Sequence, residues 1–445
     1  MLKINWFSPL PPAHTGIAHY AMQILPILAR RHAVVIWTDQ DQVAPAVRRI
    51  ARVAQYNPAA PPWREINDGT VSIYHLGNDP GVHAGIYCVS IGQPGIVVLH
   101  DVSLHDFFFT LAARQGKKHA GYLAALQRWY GDEGRRAGEA YCAGGIRPET
   151  MAQEYPMTRE AVWNALGVVT HYRRALEELH ETPTCPSAAL EFPYLASRES
   201  SSEKSAARGV ARPPFWLVTF GYMNRNRRLG PLLEALAGMR ERDQFRLDIC
   251  GQIWDEGHIR SEIERFGLNS QVNLHGFLSE NQLDHKLSVA DLAVNLRFPS
   301  MGEASLSQLQ YWNYGLPTLV TRTGWYASLP EEAAVFVRPE HEVEDIQAHL
   351  RAFLADPDAF RAMGERGRQA LKNNDPEKYV DALTRFASEV LPLAPGVPAL
   401  ALARKIGTDM TDWLHPVAGS YLLDRASREI CRVFGGAGHE CSSSD

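Results

Sequence analysis

Arg297, Gly302, Glu303 and Ser305 share one stretch, RFPSMGEASLSQLQYWNYGLP, which runs from Arg297 to Pro317. The apolar run Leu292 to Leu296 ahead of it reads as a buried strand, and the helical pattern behind it stops at Gly315–Leu316–Pro317. A strand, a polar loop and a helix N-terminus together make an anion site. The first helical turn has free backbone N–H groups, and the positive end of the helix dipole points at the same spot. A carboxylate such as Glu303 cannot serve that anion. It would meet hydroxyls or a developing positive charge, so an anion site beside an acid predicts a phosphorylated sugar as ligand; the alternative is that Glu303 and Ser305 merely cap the helix.

A second stretch has the same character. Gly221 to Arg228 (GYMNRNRR) follows the strand-like run Phe215–Phe220. Its arginines offer planar forks that suit phosphate oxygens, with Asn224 and Asn226 beside them; the alternative is a solvated basic loop. Gly16 sits between the first strand and the first helix, in PPAHTG. It fits either a close approach of backbone to phosphate or a tight turn capped by Thr15 or a neighbour. No G-x-G-x-x-G and no P-loop lysine motif occurs. His100–Asp101 ends the run Ile96–Leu99. A histidine there could bond a sugar hydroxyl or be a satisfied structural residue. The wider HDVSLHD matches no standard zinc spacing, and Asp39–Gln40–Asp41 reads as a turn. Arg114, Lys117, Lys118, Arg128, Arg135 and Arg136 form either a solvated helix face or a dock for an acidic acceptor or membrane.

These residues need two scaffolds. Ile4–Phe7, Val34–Trp37, Val71–Leu76, Ile96–Leu99 and Gly167–Thr170 read as strands. Ile17, Tyr20, Ala21, Ile24, Leu25 and Leu28 keep helical spacing between the first two, which begins a βαβ unit. Residues 104–163 contain no clear strand and read as a helical insertion. The polar run 197–214, SRESSSEKSAARGVARPP, reads as a linker. Strands resume at Phe215–Phe220, Phe245–Cys250, Val272–His275, Leu292–Leu296, Thr318–Thr321 and Ala334–Val337, with helices between them. A last helical segment is expected over Ala399 to Phe434, and the tail GGAGHECSSSD is expected to be disordered.

At 445 residues two domains are expected. An apolar share of 45%, a charged share of 21% and a formal charge of −5 fit a soluble globular protein and argue against nucleic acid. No stretch reaches the roughly 18–20 apolar residues of a membrane span. The N-terminus lacks a signal-peptide pattern, and the six cysteines form no C-x-x-C pair. The cytoplasm is the compartment expected.

In order and spacing, several segments together resemble glycosyltransferase family 4, retaining enzymes of the GT-B fold. The carrying residues are SPLPPAHTGIAHY near the N-terminus, YHLGN at Tyr74–Asn78, PGIVVLHD at Pro94–Asp101, FGYMNRNRR at Phe220–Arg228, NLRFPSMGEAS at Asn295–Ser305 and YGLP at Tyr314–Pro317. The likeness spans about residues 1–390. It implies an α/β, GT-B-like architecture: two doubly wound Rossmann-like domains facing each other across a cleft. Residues 1–196 form the acceptor-side domain with the insertion, residues 215–390 the donor domain, and residues 391–445 a helical extension.

The resemblance also implies transfer of a sugar from a nucleotide-diphosphate sugar, with no metal and no other cofactor. Arg227 and Arg228 would neutralise the diphosphate, Asn224 would bind donor from the same loop, and Gly16 would face the phosphates. Ser305 would donate to phosphate, and His100 would touch the donor sugar. Glu303 corresponds to the first acid of the family's E-x7-E pattern. The second position, counted back from Gly315, holds Gln310, and the interval is one residue short. A glutamine amide still bonds a ribose diol. The acceptor is open: a glycan, a lipid-linked sugar or a small molecule, in cell-surface polysaccharide or glycoconjugate synthesis. A peripheral contact at the inner membrane face stays open as well. The rival readings are a nucleotide-sugar epimerase or hydrolase, a non-catalytic nucleotide-sugar-binding protein on the same scaffold, and a metal hydrolase built on His100 and His105.

Overall fold

The computed structural model describes residues 1–13, 15–114, 119–181, 185–196 and 213–394. Its strands form two parallel sheets. The first contains β1 (Lys3–Phe7), β2 (Ala33–Thr38), β3 (Arg52–Gln55), β4 (Val71–Leu76), β5 (Ile96–Leu99), β6 (Gly167–Thr170) and β7 (Ser187–Ala189), in the order β3-β2-β1-β4-β5-β6-β7. The second contains β8 (Phe215–Phe220), β9 (Phe245–Cys250), β10 (Val272–Gly276), β11 (Leu292–Asn295), β12 (Thr318–Thr321) and β13 (Val335–Val337), in the order β10-β9-β8-β11-β12-β13. Strands β4, β5, β6, β11 and β12 are buried at every position, because helices cover both faces. Two edge strands escape the sequence reading: β3 is half exposed and β7 has only three residues.

In each sheet the chain reverses its direction of travel beside the first strand, between β1 and β4 and between β8 and β11. Crevices open at the carboxyl ends of the strands at such switch points. The loops that follow β1, β5, β8 and β11 carry Gly16, Asp101, Arg227 and Glu303 respectively.

The stretch 104–163 connects β5 to its direct neighbour β6. It holds helices His105–Arg114, Ala120–Cys142, Pro148–Glu154 and Thr158–Val162 and no strand among its described residues. The longest of these breaks at Gly131, whose φ of 67° only glycine adopts readily. Lys117 and Lys118 lie outside the described residues. Arg128 pairs with Glu160 and Arg135 with Glu139.

Helix Pro376–Val390 follows the second sheet in the chain but packs on the first unit. Tyr379, Val380, Leu383, Phe386, Ala387 and Val390 recur at helical spacing and join the core that holds β1, β4 and helix Gly16–Arg31. The Tyr20 hydroxyl donates to that of Tyr379 at 2.6 Å. Arg30 pairs with Glu377, and Arg31 with Glu377 and Asp381. A Cβ on Gly167 would stand 2.8 Å from the Phe386 ring, so this helix also leans on β6. The expected linker lies outside the described residues apart from Pro213 and Pro214, as do the expected segment 399–434 and the tail. Among the described residues no helix is long and apolar enough to cross a membrane.

Leu383 has no exposed surface. Leu383→Ala should lower unfolding stability by about 2–5 kcal/mol, the cost of lost burial plus a cavity, measured by denaturant titration. An unchanged transition would show that the helix does not brace the first unit.

Candidate functional site

The second unit supplies a buried cation. After β8 the chain turns at Gly221, with φ 120°, into a short 3₁₀ turn over Arg225–Arg227. Arg227 is 5% exposed. Its Nη2 donates to the Phe220 carbonyl at 2.6 Å and its Nη1 to Asn295 Oδ1 at 2.9 Å. Nε is buried and has no hydrogen-bond partner. Among the described residues Arg227 forms no ion pair; its two bonded partners are neutral. Burial, and then the charge of Arg297, hold its pKa below the usual guanidinium value.

Asn295, fully buried at the end of β11, joins this cation to a helix start. Its Nδ2 donates to Ser305 Oγ at 3.3 Å and to Gln308 Oε1 at 3.0 Å. Ser305 caps helix Leu306–Asn313 by accepting from the Gln308 amide at 3.1 Å. The remaining N–H groups of that first turn add positive potential on the same side as Arg227.

Between β11 and this helix runs the loop of Arg297 and Glu303. Glu303 Oε2 accepts from the Met301 amide at 2.6 Å and from Ser300 Oγ at 3.3 Å. Its Oε1 lies 2.8 Å from Arg297 Nε, an ion pair without hydrogen-bond alignment. Arg297 Nη1 also donates to Asn226 Oδ1 at 3.0 Å. Burial alone would lower the Arg297 pKa, but Tyr326, Glu303 and Asp101 more than offset that and raise it. Two guanidinium groups and one firmly held carboxylate therefore occupy the carboxyl end of β8 and β11.

The first unit closes over this loop. A Cβ built on Gly16 would stand 3.7 Å from Leu306 Cδ2, so the start of the first helix faces the start of helix Leu306–Asn313. Thr15 caps that first helix, accepting from the Ala18 amide at 3.0 Å. The amides of Val102 and Ser103, just after β5, both donate to the Met301 carbonyl, at 2.8 and 2.9 Å. Gly302 has φ 77°, and a Cβ there would meet Val102 Cβ at 2.6 Å; both facts require glycine. Asp101 lies at the same junction and accepts from the Asn78 amide at 2.8 Å. Burial, and next the charge of Glu303, push its carboxyl up to about 7.

Gly16, Arg227, Glu303 and Ser305 thus gather around one loop. His100 stands apart from them: it is buried, its Nε2 lies 3.0 Å from His75 Nδ1, and Tyr20, His171 and Phe192 surround it. Burial, followed by His171 and His75, holds its pKa well below the usual value, so its ring is neutral. Arg228 adopts φ 56° and sends its guanidinium to Glu342, with Nε 2.9 Å from both carboxylate oxygens. Asn224 is exposed. Together with Arg228 and Trp254 it lines a separate cavity of about 410 Å³ that also touches Glu149 of the first unit. Gln310 is half buried, one turn along helix Leu306–Asn313 from the cap. His105 bonds Tyr122, away from His100, so HDVSLHD does not converge. Among the described residues no group of three or more His, Cys, Asp or Glu could hold a metal ion.

Sequence reasoning assigns no role to Asn295, although a polar residue closing an apolar strand run is a visible signal. Asp101 is weighed only as a metal ligand; its link to Glu303 needs the two units folded together.

Residues 201–370 match the family model for glycosyl transferases group 1. A search of curated proteins finds no match. Among solved structures the chain is similar to Anabaena HepE in complex with UDP and glucose, with a TM-score of 0.59 and 12% identity over 87% of this chain and 100% of that one. It is also similar to sucrose-phosphate synthase from Thermosynechococcus elongatus, with a TM-score of 0.61 and 15% identity over 88% and 100%. A third likeness is to WaaG, a glycosyltransferase involved in lipopolysaccharide biosynthesis, with a TM-score of 0.54 and 15% identity over 86% and 99%. At these identities the likeness shows the fold, and that fold is GT-B.

Asp101 gives the site a pH signature. Its carboxyl titrates near 7 in the folded chain and near 3.9 in an unfolded one. The protonated acid therefore favours the folded state, fully below about pH 4, and that contribution is lost as pH rises towards 7. Asp101→Asn cannot ionise and its amide oxygen can still accept from Asn78. Between pH 4 and pH 7 its stability should gain on the native chain by up to roughly 4 kcal/mol, read from melting curves at each pH. Parallel curves would mean that Asp101 is not held protonated.

Proposed function

We propose that this glycosyltransferase moves a sugar from a nucleotide-diphosphate donor to an acceptor hydroxyl, with retention of anomeric configuration and without a metal ion. The observation behind the proposal is Arg227. A buried guanidinium with neutral partners is costly unless an anion completes it. This one lies beside a second guanidinium and a helix N-terminus, at the carboxyl end of the central strands. A diphosphate satisfies all three, and Gly16 lets the first unit come close to it.

Transfer then runs as a front-face displacement. The bond from the anomeric carbon to the diphosphate oxygen breaks, and its electron pair stays on that oxygen. Arg227 and the N–H groups behind Ser305 stabilise the growing negative charge, with no reorganisation at the moment of reaction. Positive charge develops on the sugar ring, and the Glu303 carboxylate offsets it. Ser300, the Met301 amide and Arg297 hold that carboxylate still. The acceptor oxygen bonds to the anomeric carbon on the face the leaving group departs, and its proton passes to the leaving phosphate oxygen. Asp101, at the junction of the two units, feels the charge of Glu303. Contact between Val102 and Met301 keeps water from the reacting carbon. Gln310 would bond the ribose. The compartment proposed is the cytoplasm, where nucleotide sugars are made, and the product a glycoconjugate or polysaccharide. HepE in complex with UDP and glucose supports uridine diphosphate sugars as the first donors to try.

A thermal-shift screen of UDP, GDP and ADP and their sugar conjugates should raise the melting temperature for one family of donors. EDTA should leave both that shift and the turnover unchanged; loss of turnover that Mg²⁺ restores would remove the metal-free mechanism. With that donor, Arg227→Ala and Glu303→Ala should each lower kcat/KM by roughly 10²–10³-fold. Full activity in both variants would refute the site. NMR of the product should give the anomeric configuration of the donor, and the inverted product would refute retention.

A further inference from the structure

A cavity of about 320 Å³ opens beside the Glu303 loop. Its floor is the Ser300–Gly302 stretch, and Ser300 Oγ bonds Glu303 directly. Three separate parts of the chain wall it. Gln153 and Glu154 end helix Pro148–Glu154 of the insertion, Tyr172 and Glu178 follow β6, and Thr323 follows β12. The volume is at the small end of the range for ligand pockets, enough for one sugar ring.

The chemistry of the lining is one-sided. Among the described residues it contains two carboxylates, an amide, hydroxyls, an imidazole and one leucine, and neither lysine nor arginine. The Tyr172 hydroxyl donates to Glu178 Oε2 at 3.0 Å and fixes that carboxylate; Arg174 approaches its other oxygen only to 4.0 Å. Glu154 is exposed and forms no ion pair among the described residues. Carboxylates accept short, charge-assisted bonds from hydroxyls and repel phosphates. Backbone conformation also marks the place. Gly302, Gly324 and His180, all on the lining, have φ of 77°, 50° and 52°. His180 takes that left-handed conformation where helix Ala175–Glu178 ends, its amide donating to the Glu177 carbonyl and that of Glu181 to the Leu176 carbonyl.

We propose that this cavity is the acceptor subsite and that it takes an uncharged, polyhydroxylated acceptor, a sugar residue, rather than a sugar phosphate or a phospholipid headgroup. The proposal rests on the donor reading above. Glu154 and Glu178 accept from two acceptor hydroxyls, and Tyr172 lies against the ring. A third hydroxyl is then delivered over Ser300 towards the anomeric carbon. Its oxygen bonds to that carbon, the carbon–phosphate oxygen bond breaks onto the leaving oxygen, and the hydroxyl proton goes to the same oxygen.

The test uses the full chain and whichever nucleotide sugar shifts its melting temperature; absence of any shift would count against the donor reading itself and is seen before acceptor is added. With donor saturating, nucleotide diphosphate release is followed with methyl and octyl glycosides of the common hexoses and hexosamines. The same glycosides as 6-phosphates, and phosphatidylinositol vesicles, form the other arms. Neutral glycosides should stimulate release at least tenfold and the phosphorylated arms should not. Glu154→Gln and Glu178→Gln should each raise the acceptor KM about tenfold while the donor KM stays within twofold. Stimulation by the phosphorylated arms alone, by none of the neutral glycosides, or an unchanged acceptor KM in both variants would overturn the assignment. Glu154 is exposed, so a change in its variant cannot be charged to a collapsed fold.

Discussion

A buried and a half-buried guanidinium at the end of one pair of strands are the constraint around which this molecule is organised. Arg227 and Arg297 repel each other, and Arg227 is shielded from water. One carboxylate, Glu303, compensates one of them. The other is held at its two Nη atoms by a side-chain amide and a backbone carbonyl, which leave its Nε–H without a partner and its charge without a counterion. Such an arrangement is tolerable in a folded protein when the surplus charge has a task. The same amide, Asn295, also fixes the cap of the following helix, so the cation and the helix dipole are positioned by a single residue. Sheet topology does the rest. The reversal between β8 and β11 leaves room at their carboxyl ends for a ligand that lies between two loops.

Closure of the first unit on this loop is built into the backbone. The Met301 carbonyl takes two amides from the segment after β5, and Gly302 admits Val102 only because it lacks a side chain. The electrostatics of the two units merge there. Asp101 comes from the first and Glu303 from the second, and burial followed by the charge of Glu303 raises the Asp101 carboxyl to about 7. A carboxyl of one unit that feels the charge of the other ties the state of the site to the state of the joint.

Much of the scaffold is legible in the sequence for one physical reason. Strands covered on both faces must be largely apolar runs; Ile96–Leu99 is wholly so, Leu292–Asn295 but for its last residue, and Val71–Leu76 but for Ser72 and His75. Arg52–Gln55 and Ser187–Ala189 do not, because edge strands are half exposed and carry no such run. At the site, Gly16, Arg227, Glu303 and Ser305 are legible from type and loop position. Arg228 is not separable from Arg227 in the same way. The left-handed turn at Arg228 points its side chain to Glu342, 114 positions along the chain, and no local pattern encodes that. His100 looks like a cleft residue because it ends a strand; three further aromatic or imidazole rings from distant segments enclose it instead. Helix Pro376–Val390 is legible as an amphipathic helix, but its apolar stripe does not say which unit it covers.

That helix has a consequence for how the chain is made. Tyr20 and Tyr379, partners in the finished molecule, lie 359 positions apart. At about 5–20 residues per second the ribosome needs roughly 20–70 s to deliver the second after the first. Throughout that interval the nascent N-terminal half carries an uncovered greasy strip on helix Gly16–Arg31, a natural landing place for chaperones.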